Sequence, residues 1–187
     1  MKKILILIAM VATMFANGPV VGAEASYVKS NVNATLSFAG ESVSDDYKTN
    51  TKGLMIKAGY EFSEIMVAGY YLKETYSEGP LGDKNAGSFG VEAIYMTPLQ
   101  LDTNFFMGGN IGQGTLDIVA NDFGLSDVDF ADIGVKAGVQ KTINDNAKIE
   151  AGVKIVKRIF DDLNVAGVKL EMDETQVGLF VGIKFNL

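Results

Sequence analysis

The chain of 187 residues has no cysteine, no histidine and no tryptophan, and it carries only 3 prolines against 21 glycines. Without cysteine there is no disulfide, no thiolate nucleophile and no cysteine-held metal. Without histidine the commonest general base and the commonest metal ligand are missing. Scarce proline leaves long hydrogen-bonded strands unobstructed. Positive charge is also short, with 16 Lys and Arg against 23 Asp and Glu and a net charge of -7. That balance argues against nucleic acid as a partner, since phosphate binding relies on clustered cations. A 48% hydrophobic content is enough to bury a core, and the length fits one domain. Most enzyme classes lose their usual groups at this point.

The N-terminus reads as an address. Lys2 and Lys3 precede an apolar run from Ile4 to Ala16, and small residues follow at Gly22, Ala23 and Ala25. A basic start, a short apolar core and a small-residue site form the secretory signal pattern. The run is too short for a membrane helix, which needs ~20 apolar residues to cross ~30 Å of hydrocarbon. Cleavage is expected after Ala23, with Ala25 as the second choice. The chain then divides into a signal peptide over 1–23 and a mature domain over 24–187 with a net charge of -9. With no cysteine at the cleavage region, a lipid-anchored lipoprotein is excluded.

Period-two alternation dominates the mature domain. Val177, Leu179, Val181, Ile183, Phe185 and Leu187 share one face of the last segment, and Gln176, Gly178, Phe180, Gly182, Lys184 and Asn186 the other. The same pattern runs through 54–62, 101–111, 133–139 and 149–155, and more weakly through 32–38, 66–76 and 89–95. Alternation of this kind is the strand signal. Eight strands are expected near 30–41, 52–62, 65–76, 88–96, 99–112, 129–142, 147–159 and 175–187. Such lengths exceed the usual soluble strand of about 5–6 residues and match the ~9–11 that a tilted membrane-crossing strand requires. Tight turns at 63–64, 97–98 and 143–146 alternate with long polar stretches at 42–51, 77–87, 113–128 and 160–174. Short turns at one end and long loops at the other are the asymmetry of outer-membrane barrels.

Alternation alone leaves the facing open. A soluble carrier of the lipocalin type would turn Leu101, Phe105, Val135 and Val181 inward, whereas a membrane barrel turns them to lipid. Aromatics favour the second arrangement: Tyr60, Phe62, Tyr95 and Phe185 fall near the short-turn end, and Phe38, Tyr76 and Phe89 near the other. The fold expected is therefore all-β, an eight-stranded antiparallel up-and-down transmembrane β-barrel preceded by a cleavable signal peptide. Signal, strand count and the ending from Val177 to Leu187 resemble the small outer-membrane β-barrel proteins of Gram-negative bacteria, of the OmpA transmembrane-domain, OmpX and opacity-protein type. The resemblance spans the mature chain and implies residence in the cell outer membrane. It also implies recognition by the barrel-assembly machinery through a terminal aromatic, from which this chain departs by ending in Leu187 after Phe185.

An eight-stranded barrel has an interior just wide enough for side chains. On the expected register Lys57, Glu92, Lys136 and Lys154 point inward in a middle band, with Asp102 slightly lower. Glu61, Lys148, Glu150 and Lys184 form a lower layer, and Lys73, Asp132 and Arg158 an upper one. Opposite charges confined together should pair, because an isolated buried charge is costly. The expectation is a structural plug; the sharper reading is a gate that opens a narrow ion path when the pairs exchange partners.

No catalytic, cofactor-binding or metal-binding residue is identified, and no cofactor is expected. Asp45-Asp46 and Asp161-Asp162 are adjacent acids of the kind common in solvated loops. The long connections hold twelve acids against Lys48, Lys84 and Lys169. Their charge repels anionic lipopolysaccharide unless Ca²⁺ or Mg²⁺ bridges it, and no loop has the spacing of a calcium-binding EF-hand. The role expected is structural or surface-interactive and non-enzymatic, in a monomer surrounded by outer-membrane lipid and lipopolysaccharide whose acidic loops can meet an extracellular ligand. The rivals are a narrow ion or small-molecule channel and the periplasmic lipocalin-like carrier.

Overall fold

A computed structural model describes residues 18–78, 83–117, 127–165 and 168–187. Every regular element among them is a strand. In chain order these are β1 (Gly18–Phe38), β2 (Glu41–Phe62), β3 (Ile65–Tyr76), β4 (Asn85–Pro98), β5 (Thr103–Leu116), β6 (Val128–Asn144), β7 (Ala147–Phe160), β8 (Leu163–Val165) and β9 (Val168–Asn186). Eight of them form an antiparallel ring, with β7 pairing β9 and β9 closing on β1, while β8 adds three residues against the top of β9. Closure leaves no free edge within the ring, the condition for strands in a membrane, while residues 41–50 of β2, in the projecting β1–β2 hairpin, pair on one side alone.

The register sets the geometry. From Gly87 of β4 the ladder runs through Lys73, Leu54, Ala25, Val181, Ala151, Val139 and Phe105 and returns to β4 at Thr97, ten residues below its start. That offset over eight strands corresponds to a strand tilt of about 40°.

The apolar faces point outward. Leu54, Ile56, Val135, Val153, Leu179, Val181 and Ile183 are exposed on the outer wall, and Val181 keeps 61% of its surface. This removes the carrier, whose cavity would need Phe105, Val135 and Val181 inside. Tyr60, Tyr95, Phe105 and Phe185 ring the lower edge, and Tyr27, Tyr71 and Phe89 the upper. Two expected girdle members lie elsewhere. Tyr76 is fully buried in the lumen, and Phe38 is exposed at the tip of the β1–β2 hairpin.

Several boundaries differ from the sequence expectation. β1 starts at Gly18 rather than near 30, because Gly22, Ser26 and Ser30 on its inner face give little apolar contrast to read. The cut expected after Ala23 falls within this strand, whose residues 18–23 pair with β2; residues 1–17 lie outside the described residues. The stretch 42–51 is strand, not loop. It turns at Ala39 and Gly40, both at positive φ as a tight hairpin turn requires, and side-chain bonds Thr35–Ser44 and Ser37–Ser42, each 2.9 Å, lace its polar faces. Much of 160–174 is likewise strand, in β8 and β9. β5 starts at Thr103 rather than 99, since Leu101 and Asp102 take positive φ in the turn.

Candidate functional site

The lumen is built in layers by the inward residues of the ring. Its floor is apolar: Val20, Met66, Ala68, Ile94, Met96, Phe106 and Phe180 pack together at the short-turn end. Beside this floor Glu61 accepts from Lys148 and from Lys184, each at 2.6 Å. Lys184 also lies 3.9 Å from the sulfurs of Met66 and Met96, so its stem and head are enclosed by the floor.

Five strands supply the middle layer. Lys57 of β2 pairs with Glu150 of β7 and, at 3.2 Å, with Glu92 of β4. Lys136 of β6 reaches Glu92 at 2.6 Å and Glu24 of β1 at 3.1 Å, and its ammonium stands 5.2 Å from the Phe180 ring centroid. Lys154 donates to Ser26 Oγ at 2.9 Å and lies 3.8 Å from Glu24. Each carboxylate thus faces cations from the surrounding strands, and the layer ties opposite walls of the barrel together.

Above it, fully buried Arg158 gathers three acids. Its Nε and Nη2 donate to the two oxygens of Asp132 at 2.8 and 2.9 Å, and Nη2 also donates to Glu74 at 2.6 Å. Nη1 donates to Tyr76 Oη at 2.7 Å, and Tyr76 in turn donates to Glu174 at 2.7 Å. The guanidinium lies 3.9 Å from the Phe130 ring centroid. A planar cation with five donors suits this crowding where a lysine would not. An apolar cap of Val32, Tyr76, Ala86, Leu116, Val128, Phe130 and Phe160 closes the layer toward the upper end.

Glycines make room for this filling. A Cβ on Gly112 would stand 2.4 Å from Tyr70 Oη and 2.9 Å from the Phe89 carbonyl, so only a bare backbone lets the Tyr70 ring lie against β5. Between the middle and upper layers a cavity of about 20 Å³ remains, bordered by Glu24, Glu92, Lys136, Lys154, Arg158 and Gln176. That volume is about the size of one water.

Of the residues placed inside by sequence, Lys57, Glu92, Lys136 and Lys154 meet in the middle layer, Glu150 joins them rather than the lower layer, Glu61 and Lys184 pair below, and Asp132 and Arg158 pair above. Asp102 is not among them. It is exposed in the β4–β5 turn, where positive φ takes it off the ladder. Lys73 is exposed on the outer wall, because the inward set of β3 is Met66, Ala68, Tyr70, Leu72, Glu74 and Tyr76. Glu24, Glu74, Tyr76 and Glu174 were not assigned to the lumen from sequence. Alternation extended upstream from Gln176 reaches Glu174, and the pairing of Glu74 with Leu72 and Tyr76 on one face is visible in β3 once its phase is known. Among the described residues no three acidic side chains converge to hold a metal ion.

An inverted, closed, side-chain-filled ring of eight antiparallel strands is the fold of the small outer-membrane β-barrels of the OmpA/OmpX type. Among solved structures the chain is similar to Neisserial surface protein A, with a TM-score of 0.57 and 21% identity over 92% of this chain and 99% of that one. It is similar also to the outer membrane protein OprG of Pseudomonas aeruginosa, with a TM-score of 0.53 and 14% identity over 92% and 98%. A third is the outer membrane protein AlkL, solved in lipid bilayers, with a TM-score of 0.51 and 16% identity over 92% of each chain. These identities speak for the fold alone. No family model and no curated sequence matches the chain.

Proposed function

We propose that the protein is a non-enzymatic outer-membrane β-barrel with a closed lumen, exported by a cleaved signal peptide, inserted by the barrel-assembly machinery and acting as a monomer in a structural and surface-interaction role. The observation that carries this reading is the filling of the lumen: an apolar floor, two ion-paired layers and an apolar cap, with a void of about 20 Å³ between the charged layers. A hydrated ion path needs a continuous column of water, and the void between the charged layers has space for about one. Six cations and seven carboxylates share it, so opening a path would strip several charges of their partners at once.

The surface part of the reading is supported by the β1–β2 hairpin. It continues for many residues beyond the apolar wall and carries exposed Glu41, Asp45 and Asp46 on its two faces, an acidic tip for an extracellular ligand. Planar-bilayer recording tests the closed lumen. The wild-type protein should be silent at moderate voltage, and Lys136→Ala together with Glu92→Ala, which empties the centre of the middle layer, should raise conductance. Steady wild-type conductance would favour the channel instead.

A further inference from the structure

At its upper rim the outer wall carries its cations on one side only. Lys73 of β3, Lys52 of β2, Lys29 of β1 and Lys157 of β7 all point outward. Along the tilted ladder each strand step toward β7 drops by little more than one residue; Lys52 and Lys29 each stand two residues above the ladder partner of the lysine before, and Lys157 two residues above over the two steps through β9. They therefore lie within about 5 Å of one height. On β1, β2 and β3 that height is the upper edge of the apolar wall, just above Tyr27, Leu54 and Tyr71, while on β7 Ile159 still stands above Lys157. At the same level β4, β5 and β6 present Phe89, Gln113 and Ala131 and no cation. Lys157 pairs with Asp173, while Lys29, Lys52 and Lys73 have no carboxylate partner among the described residues.

A surface hollow of about 630 Å³ adjoins this belt between Lys29 and Lys48, with Tyr27, Asn31, Asn50 and Thr175 along its walls. Its one acid, Glu78, accepts from Asn50 Nδ2 at 2.6 Å at the upper margin. Apolar side chains below, amide and hydroxyl groups at the sides and two ammonium groups across the opening match an acyl-chain lipid with a phosphorylated head.

We propose that the Lys29–Lys52–Lys73 belt and its adjoining hollow form a binding site for the phosphate groups of an anionic lipid in the outer leaflet of the surrounding membrane. The lysine stems lie along the apolar wall and the ammonium groups reach the phosphates above it. The lipid, rather than a soluble polyanion, is the ligand because the belt sits at the boundary where the lipid-facing wall ends. A lipid bridged this way also offsets the repulsion between phosphorylated lipid and the acidic upper hairpin. The site rests on the membrane-barrel reading.

The test uses the purified full-length mature protein in phosphatidylcholine vesicles doped with bisphosphorylated lipid A or with its dephosphorylated form. Flotation first reports insertion, and failure to float overturns the barrel reading and the site with it. For the inserted protein, lipid A retained through delipidation is quantified by native mass spectrometry. Wild type should retain the bisphosphorylated form, and Lys29→Gln/Lys52→Gln/Lys73→Gln should lose affinity by on the order of 100-fold, at about fivefold per lysine. Lys141→Gln, on the outer wall at the opposite rim, should bind as wild type. Equal retention by the triple variant, or equal retention of dephosphorylated lipid A, overturns the proposal. So does a variant that loses only heparin binding, which assigns the lysines to a soluble polyanion.

Discussion

Arg158 shows what a single side chain contributes here. Its guanidinium satisfies Asp132, Glu74 and Tyr76 at once, and without it three carboxylates would face one another in a space closed to water. Arg158→Met should therefore lower unfolding stability by about 3–5 kcal/mol, the usual loss when one partner of a buried charge cluster is removed. Urea titration followed by the boiled-versus-unboiled gel shift measures it, and Arg158→Lys should fall between, since an ammonium lacks the planar fork. A wild-type midpoint in Arg158→Met would mean that the cluster adds nothing. Gly112 is the opposite case, a residue defined by absence. Gly112→Val should cost about 1–3 kcal/mol by displacing the Tyr70 ring, and adding Tyr70→Phe, which removes the nearest atom, should recover part of it. Lys57, Lys136 and Lys154 were legible in the sequence because each stands between outward apolar neighbours at a period of two. Lys73 was not, since β3 has bulky residues on both faces and its phase cannot be read locally. Asp102 failed for another reason: two positive-φ residues end the alternation that had included it.

Strands that cross the apolar layer announce themselves, while those that continue past it do not. β6, β7 and the lower half of β9 alternate apolar with polar because lipid lies on one side and a filled lumen on the other. Above the belt, water lies on both sides of the β1–β2 hairpin, so Ser37, Ser42, Ser44 and Thr35 serve as well on either face and the pattern reads as loop. Backbone pairing, which sequence patterning does not report, carries the strand onward. This separation predicts that the hairpin tip is dispensable for the barrel. Removing residues 34–45 and joining Asn33 to Asp46 through an Asn-Gly turn keeps the register and spares Val32 and Tyr47 of the upper cap. Unfolding stability should stay within about 0.5 kcal/mol of wild type by urea titration. A large loss would make the tip part of the fold rather than of the surface function.

At the scale of the whole molecule two separations organise the protein. Apolar side chains cover the outside and charges fill the inside, the reverse of a soluble barrel, and composition alone does not distinguish the two. Cations at the upper rim of the outer wall collect on β1, β2, β3 and β7, whereas acids dominate the projecting upper end. The overall charge of -7 conceals this division because it sums a nearly balanced interior, a basic belt and an acidic tip. The central claim is the double one that the outer wall faces lipid and that the lumen is closed. Spin labels introduced one residue at a time from Gln176 to Phe185 of β9, in reconstituted vesicles, test both parts in a single scan. Collision with oxygen should peak at Val177, Leu179, Val181, Ile183 and Phe185, and a water-soluble nickel chelate should reach neither set. Chelate access at those five positions would contradict the lipid-facing wall, and chelate access at Gly178, Phe180 and Gly182 would contradict the closed lumen.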